Sequence, residues 1–395
     1  MKTRKQKLRE NIWKFYLFRV FSSIIFVAPI FVLFLQENGL NMTQIMLLTA
    51  TYTVGTMFLV VPSGILADHI GRRKVLIFGN IIYMVSWAFY GMGSTFLQFF
   101  VAELVFALAS ALWFSAGSAF FYDTLLELRE EKRFKKLYGN VSAINYLTWG
   151  ASSIIGGYIA LFGFRHVFFY TTIPILFSVI IAFSFTETRR FKHVEKNHLQ
   201  HLKEAAIFAA SHRKLRFLMV YSAILLGVWI SGYVLYQPYL KSIAVPLAYF
   251  GAIYFLLNIA AAIGSKSAHG IDKLIGEKNV LLVVLSAFLL CYLGMSLSIG
   301  LLGMVFPVVI AFFFGVWEVS IVDYTNKHVK SHNRATIMSL GNCMGQMSST
   351  IVAPFFGWIT DQWDISTAFK FAFVMILINL VYSLVVLYFV KNKKN

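Results

Sequence analysis

The sequence predicts an all-α membrane protein in which twelve transmembrane helices form two pseudo-symmetric six-helix bundles, and three observations support this. Of the 395 residues, 58% are hydrophobic and only 13% are charged. The apolar stretches are long enough to cross a hydrocarbon core of about 30 Å many times as helices. The charged residues cluster in short segments between these stretches, and the second half of the chain repeats the plan of the first.

Each predicted half contains six spans. In the first half they cover 14–36, 43–62, 75–93, 96–122, 137–161 and 165–186. In the second half they cover 215–239, 246–265, 279–297, 301–323, 334–359 and 366–390. Two six-span repeats are typical of alternating-access carriers, whose substrate site lies between the repeats near the middle of the bilayer. Pro29 and Pro238 fall in corresponding spans, where we expect helix bends.

A polar, basic segment divides the chain near its midpoint. We therefore predict an N-terminal bundle at 1–186, a cytoplasmic linker at 187–214 and a C-terminal bundle at 215–395. Apolar residues recur at helical spacing beside the linker cations, which favours a helix lying on the inner leaflet. The linker also carries four histidines, His193, His198, His201 and His212. Since no cysteine accompanies them and histidines in a polar loop are usually solvated, we predict no metal site.

The distribution of positive charge predicts the topology. Of the 35 Lys and Arg residues, the predicted spans leave Arg165, Lys241 and Lys370 on one side and Arg19 inside the first span. All others lie on the opposite side, which places both termini in the cytoplasm. The net charge of +18 therefore belongs to loops, and no nucleic-acid partner is expected. The apolar run after Lys14 is too long for a cleaved signal peptide, so we expect a multi-pass protein of the inner or plasma membrane.

The most informative segment is 64–74, which places two glycines, an acid and several cations between two spans. Turn backbone and unpaired ions are costly in hydrocarbon, so this segment must be a tight loop at a membrane face. A loop that only sets topology needs the cations alone. The presence of Gly64, Asp68 and Gly71 therefore indicates a further role.

The order of these residues resembles motif A of the major facilitator superfamily, which lies between the second and third spans. The resemblance implies the twelve-span fold of that superfamily and a role for the loop in conformational change. In the family, the acid and the arginine of the loop form a cytoplasmic network with an acid that ends the fourth span. The residues that match this latch are Gly64, Asp68, Gly71, Arg72, Arg73 and Asp123.

Ionisable residues inside spans are costly and by default functional, so they are candidates for proton coupling or substrate binding. They are Arg19, Glu103, Glu318 and Asp323. Glu103 occupies the position of the arginine of family motif B, and Glu318 stands among aromatic residues. Each has an alternative interpretation: Glu103 reaches the outer interface, Glu318 pairs with a neighbouring helix, and Arg19 extends toward the cytoplasm.

Two further patterns concern direction and cavity. The segment 152–157 keeps the glycine pair of the family's antiporter motif C but lacks its glycine-proline, which favours an exporter. Close helix packing explains the same small residues equally well. Polar and aromatic side chains at membrane depth are candidates for lining a cavity. They are Trp149, Tyr233, Tyr236, Gln237, Asn258, Trp317, Asn342 and Gln346.

The function predicted from these features is proton-coupled secondary transport by alternating access, in the direction of efflux of small amphipathic or cationic compounds. A symporter for a nutrient or siderophore, and a lipid-translocating or sensory membrane protein, are the alternatives. No nucleotide-binding loop or catalytic constellation is found, so we expect no enzymatic activity and no cofactor, with a proton gradient as the energy source. Cys291 and Cys343 lack metal-type spacing. A small-molecule substrate and membrane lipids are the expected partners of a monomer.

Overall fold

The computed structural model describes most of the chain. The described residues are 3–189, 207, 211–297, 300–328 and 334–392. They form thirteen α-helices with three short 3-10 turns, and contain no strand. Most of the predicted linker, including His193, His198 and His201, lies outside the described residues. The predicted all-α membrane fold is confirmed.

The helices follow one another with short connections. The first seven are α1 (Arg4–Ser23), α2 (Phe31–Glu37), α3 (Met42–Ile70), α4 (Arg72–Met92), α5 (Phe96–Glu127), α6 (Phe134–Ala160) and α7 (Phe164–Phe183). The next six are α8 (Arg213–Ser242), α9 (Phe250–Ile275), α10 (Glu277–Ser296), α11 (Val305–His328), α12 (Arg334–Gln362) and α13 (Ile365–Asn392). The 3-10 turns are Glu131–Arg133, Leu247–Tyr249 and Gly300–Met304.

Nine of the described helical segments are long and apolar enough to cross a membrane. The three other predicted spans correspond to α1 with α2, to α6 and to α12, which carry more polar residues. The first predicted span is corrected, because the helix stops at Ser23 and resumes at Phe31. Pro29 lies in this break and cannot supply a backbone N–H. Pro238, in contrast, lies inside the continuous helix α8.

Contacts divide the chain into two compact units. Unit 1 consists of Met1–Leu40, Thr51–Val194 and Leu247–Phe255. Unit 2 consists of Asn41–Ala50, Glu195–Pro246 and Leu256–Asn395. The first turns of α3 thus belong to unit 2, although the rest of this helix belongs to unit 1.

An aromatic core organises unit 1 beside the motif A loop. Phe15 of α1 stacks on Phe121 of α5 with ring centroids 4.8 Å apart. Phe120 and Phe185 meet at 4.8 Å on the other side of the same cluster. Aromatic pairs of this kind add about 0.5–1.5 kcal/mol each beyond the area they bury. They fix the end of α5, and therefore the position of Asp123 two residues further along the helix.

Candidate functional site

The motif A loop of unit 1 is a single residue between two helices. Gly71 has φ +100° and precedes the first residue of α4, Arg72. A Cβ on Gly71 would lie 2.7 Å from Glu187 Oε2. Glu187 Oε1 accepts a hydrogen bond from the Arg73 backbone N–H at 3.2 Å, so its carboxylate caps the positive end of α4. Glycine is required here both for the backbone conformation and for the approach of Glu187.

Arg72 connects the loop to the end of α5. Its Nη1 lies 2.7 Å from Asp123 Oδ2, and the Asp123 side chain is 7% exposed. Asp68 Oδ1 lies 4.0 Å from Arg72 Nη2, and the Asp68 side chain is 75% exposed. The structure therefore brings Arg72 and Asp123 together, while Asp68 stands at the edge of the pair. The latch role that the resemblance implies stays a prediction.

The remaining loop residues serve the packing of unit 1. Arg73 Nη2 donates to the Phe183 carbonyl oxygen at 2.5 Å, which ties the start of α4 to the end of α7. A Cβ on Gly64 would meet Ser115 Cβ at 4.0 Å, an ordinary contact. Gly64 is thus not sterically required in this conformation.

Sequence reasoning missed a second set of ion pairs next to this loop. Arg4 Nε lies 2.6 Å from Glu127 Oε1, and Arg9 Nη2 lies 3.1 Å from Glu130 Oε1. These pairs join α1 to the last residue of α5, Glu127, and to the turn that follows it, which contains Glu130. The hydrogen bond from Arg9, helped by Arg133, lowers the pKa of Glu130 below its usual range. Nothing in the sequence indicates that these residues pair, because the partners lie more than 100 positions apart in the chain.

Unit 2 has a charged cluster that resembles the Arg72–Asp123 site of unit 1, but its cation comes from a different element. Tyr324 Oη donates to Asp272 Oδ1 at 2.5 Å. Lys327 Nζ lies 2.8 Å from Asp323 Oδ2 and also contacts Glu277. The cation here comes from the end of α11 rather than from the loop. Asp323, predicted as a coupling or substrate residue, forms an exposed ion pair with Lys327, and its predicted role stays a prediction.

Unit 1 contains a cavity of about 220 Å³. Its lining combines aromatic rings with a few polar groups, and includes the predicted residue Trp149. Several of its polar groups already bond within the protein: Ser23 Oγ donates to Asn145 Oδ1 at 3.0 Å, and Asn80 Nδ2 donates to the Leu76 carbonyl oxygen at 2.9 Å. Ligand pockets are usually larger, about 300–1,000 Å³, so this cavity suits a compact molecule or part of one.

Arg19 of α1 lines this cavity. Its guanidinium carbon lies 4.0 Å from the centroid of the Trp113 ring, a cation–π geometry. Among the described residues, no carboxylate forms an ion pair with Arg19, and its buried Nε has no hydrogen-bond partner. A cation over tryptophan contributes about 0.5–2 kcal/mol. An arginine within a span costs up to about 2.5–3.5 kcal/mol on insertion scales, which this stacking offsets only in part.

Glu103 lies on α5 and is 6% exposed. Phe106 and Ser110, which line the cavity, follow it at helical spacing and share its face of the helix. Within the described part of the chain, the Glu103 carboxylate makes no hydrogen bond or ion pair. The structure therefore buries Glu103 beside the cavity, and no cation forms an ion pair with its carboxylate within the described residues.

The predicted residues of unit 2 are placed differently. Glu318 lies on the exposed surface of α11, whereas its neighbour Trp317 is buried, and the predicted role of Glu318 stays a prediction. Trp317 and Asn342 line a cavity of only about 60 Å³, which is large enough for a few waters but small for a substrate. The other candidates do not share it. Tyr236 and Gln237 are buried, Tyr233 and Asn258 are half-buried, and Gln346 is exposed.

Sequence reasoning also missed Asp361 near the end of α12. Its carboxylate accepts hydrogen bonds from the backbone N–H groups of Met42 at 2.8 Å and Thr43 at 2.7 Å, and from Thr43 Oγ1 at 2.6 Å. All three residues belong to unit 2. Asp361 thus caps the first turn of α3 from another helix, where the helix dipole favours an anion. A Cβ on Gly357 would lie 2.6 Å from the Met42 carbonyl oxygen, so glycine permits this approach.

The small residues of the partial motif C allow close backbone packing in unit 1. A Cβ on Gly156 would lie 1.9 Å from the Phe26 carbonyl oxygen. A Cβ on Gly251 would lie 2.3 Å from the Ser153 carbonyl oxygen. No larger side chain fits at either glycine in this conformation. The geometry thus supports the packing interpretation of segment 152–157.

Comparison with known proteins identifies the family. The model of the Major Facilitator Superfamily matches residues 15–354. An MFS-type transporter of Methanocaldococcus jannaschii, MJ1560, is 21% identical over 384 residues, covering 94% of this chain and 97% of the relative. The quinolone resistance protein NorA of Staphylococcus aureus is 24% identical over 156 residues, covering 40% of this chain and 39% of NorA.

The fold has counterparts among solved structures. The nucleoside transporter NupG superposes with a TM-score of 0.78 and 13% identity, covering 97% of this chain and 98% of NupG. At this identity the likeness concerns the fold alone.

Proposed function

Because this chain belongs to the Major Facilitator Superfamily, we propose that it exports small amphipathic compounds in exchange for protons. Members of this family are secondary transporters, and the chain is accordingly a multi-pass membrane transporter rather than an enzyme. The proposal includes cytoplasmic termini, a monomer as the working unit and alternating access driven by a proton gradient. It assigns no cofactor.

The observation that carries proton coupling is the environment of Glu103. Burying a carboxylate away from water without a partner is costly, so an acid in this position favours its neutral, protonated form. Glu103 is 6% exposed and shares a helix face with the cavity lining. In this proposal, a substrate in the cavity changes the balance between the charged and neutral forms of the Glu103 carboxyl. Glu318, which is exposed, is the second candidate for the same role.

The cavity lining favours an amphipathic substrate. Phe106, Phe114 and Trp149 provide apolar surface, and the hydroxyl groups of the lining provide a limited number of hydrogen bonds. The charged side chain in this lining is Arg19, a cation. This charge does not favour the cationic compounds that the sequence also suggested. The partial match to a quinolone resistance protein, NorA, is consistent with an amphipathic substrate but covers less than half of either chain.

The Arg72–Asp123 pair supports a conformational role for the loop. A pair that must break once per cycle can bias the equilibrium between two states by only a few kcal/mol. Its loss should therefore lower turnover more than substrate affinity. We assign the latch to this pair, with Asp68 as an exposed neighbour.

Proton coupling can be tested in proteoliposomes that contain the pH dye pyranine. Vesicles loaded with naphthalene-2-sulfonate or N-methylquinolinium are diluted into compound-free buffer, with protein-free vesicles as the blank. Efflux of a transported compound should acidify the lumen, because protons move inward in exchange. Glu103→Gln should abolish the acidification, and Glu318→Gln tests the second acid. Glu37→Gln is the matched control, because Glu37 is an exposed acid next to the loop after α2.

The outcomes separate the alternatives. Alkalinisation of the lumen would indicate symport, as expected for the uptake of a nutrient or siderophore, and would contradict exchange. Compound efflux with equal proton movement in the native chain and in Glu103→Gln would remove Glu103 from the coupling mechanism. Failure to move any solute would favour a lipid-translocating or sensory protein.

A further inference from the structure

We propose that the unit 1 cavity binds the anionic group of an amphipathic organic substrate through Arg19. This inference rests on the proposed transport function and adds the chemical class of the ligand. The cavity is lined by Arg19 and Trp113 and by the further aromatic residues Tyr83, Phe114 and Trp149.

The first argument is charge. Arg19 is the cation in the cavity lining, and none of the lining residues is an acid. Glu103, a buried acid on α5, forms no ion pair with Arg19 within the described residues. A guanidinium within a span requires an anion, a water-filled space or a route to the membrane surface. Stacking on Trp113 places the group against the cavity, where an anionic ligand could reach it.

The second argument is the set of hydrogen-bond donors that remain. Arg19 Nε and Trp113 Nε1 are both buried without an acceptor, and the guanidinium has no carboxylate or carbonyl partner among the described residues. Neighbouring polar groups are already satisfied, since Ser22 Oγ donates to the Arg19 carbonyl oxygen at 3.3 Å and Ser23 donates to Asn145. The unsatisfied groups at this site are thus donors. A ligand that satisfies them must supply acceptor oxygens, and a planar guanidinium suits a carboxylate, sulfonate or phosphate.

The third argument is shape. The cavity has a volume of about 220 Å³, and aromatic rings form much of its wall. A compact ring system can lie against these rings while its oxyanion meets Arg19. The expected ligand is therefore a small organic anion with one apolar, flat part. The anionic head group of a lipid presents the same oxyanion, and the experiment separates the two sources.

Binding can be measured by calorimetry on the purified chain in neutral detergent, with no proton gradient. The probes are naphthalene-2-sulfonate, its uncharged analogue naphthalene-2-sulfonamide, and the cation N-methylquinolinium. The native chain should bind the sulfonate about tenfold more tightly than the sulfonamide, as expected for one charge-assisted contact. The preference should disappear in Arg19→Gln and be partly retained in Arg19→Lys. Lys7→Gln, which removes an exposed cation from the same helix, should keep it.

Each contrary result overturns the inference. Equal or tighter binding of the sulfonamide or the cation to the native chain would exclude recognition of an anion, as would the absence of sulfonate binding at millimolar concentration. A preference that persists in Arg19→Gln would place recognition elsewhere. If Arg19→Gln does not fold, judged by size-exclusion chromatography, the Arg19→Lys variant and the comparison of probes on the native chain decide the question.

Two further outcomes separate this inference from related ones. Displacement of the sulfonate by dioleoyl phosphatidylglycerol in the micelles would assign the site to a lipid head group and overturn the substrate assignment. Since binding is measured without a gradient, a failure of Glu103→Gln to affect proton movement contradicts the coupling mechanism but leaves the anion site intact.

Discussion

The Arg72 guanidinium lies 2.7 Å from the Asp123 carboxylate, whereas the acid of its own loop, Asp68, lies 4.0 Å away and is largely exposed. The two carboxylates are therefore not equivalent. Asp123 neutralises an arginine that is mostly shielded from water, and Asp68 sits where solvent screens its charge. This asymmetry leads to the first prediction.

Asp123→Asn should destabilise unit 1 far more than Asp68→Asn. Removing one partner of a shielded pair leaves an uncompensated charge and should cost about 3 kcal/mol. Loss of the exposed Asp68 should cost less than about 1 kcal/mol. Denaturant titration in mixed micelles gives both values, and transport assays should show a lower turnover with little change in apparent affinity for Asp123→Asn. Similar costs for the two variants would contradict the unequal roles.

Gly71→Ala should be strongly destabilising, whereas Gly64→Ala should not. A side chain at φ +100° and a Cβ 2.7 Å from Glu187 Oε2 together should cost about 1–3 kcal/mol. Gly64 lies inside α3 and its added Cβ meets only an ordinary contact, so alanine there should gain up to about 1 kcal/mol from helix propensity. The unfolding midpoints of the two variants check this. An equal loss for both would show that the motif needs Gly64 for another reason.

The motif A loop was accessible to sequence reasoning because its determinants are local. The loop is defined by the two apolar runs on either side of it, because ions and turn backbone are costly in hydrocarbon. Gly71 is located by the basic residues that follow it at the start of a helix. Asp123 could be connected to it because two spans that end at one membrane face bring their terminal residues to the same depth. The sequence alone does not distinguish the roles of Asp68 and Asp123, because it does not show which of the two carboxylates is exposed.

Other features depend on packing between distant segments and leave no pattern in the sequence. Asp361 and Glu187 look like ordinary acids at helix ends, yet each caps a helix start far away in the chain. Glu318 follows four aromatic residues, which suggested burial. Successive residues of a helix point in different directions, however, so neighbours in the sequence can differ in exposure. Pro29 indicated a bend, while the length of the break between Ser23 and Phe31 was not predictable.

Asp361→Asn should loosen the first turn of α3. The carboxylate accepts hydrogen bonds from two backbone N–H groups and one hydroxyl there, and an amide can accept with only one of its two terminal atoms. Loss of such a cap costs about 0.5–2 kcal/mol. Hydrogen exchange should therefore become faster, by about twofold to thirtyfold, at the start of α3.

Asp364→Asn is the control for this effect. Asp364 Oδ1 accepts from the Thr367 backbone N–H at 2.6 Å and so caps its own helix, α13. Its variant should speed exchange at the start of α13 and leave α3 unchanged. Unchanged exchange at the start of α3 in Asp361→Asn would mean that the cap formed by Asn41 within α3 is sufficient by itself.

Glu130 should make the attachment of α1 sensitive to acid. The hydrogen bond from Arg9 lowers the pKa of Glu130, with a further contribution from Arg133. A carboxyl whose pKa is lower in the folded state stabilises the fold above its unfolded pKa, about 4.3. This contribution is lost as the pH falls through the lower folded value.

The midpoint of thermal unfolding of the native chain should consequently fall more steeply below about pH 4 than that of Glu130→Gln. Near pH 6 the native chain should be the more stable of the two, and the curves should converge in acid because both side chains are then neutral. Glu37→Gln serves as the control, since Glu37 is exposed and forms no ion pair within the described residues. If the unfolding midpoints of the native chain and Glu130→Gln change with pH in parallel, the pairs with Arg9 and Arg133 contribute nothing to stability. Exposed ion pairs often have no measurable effect on stability.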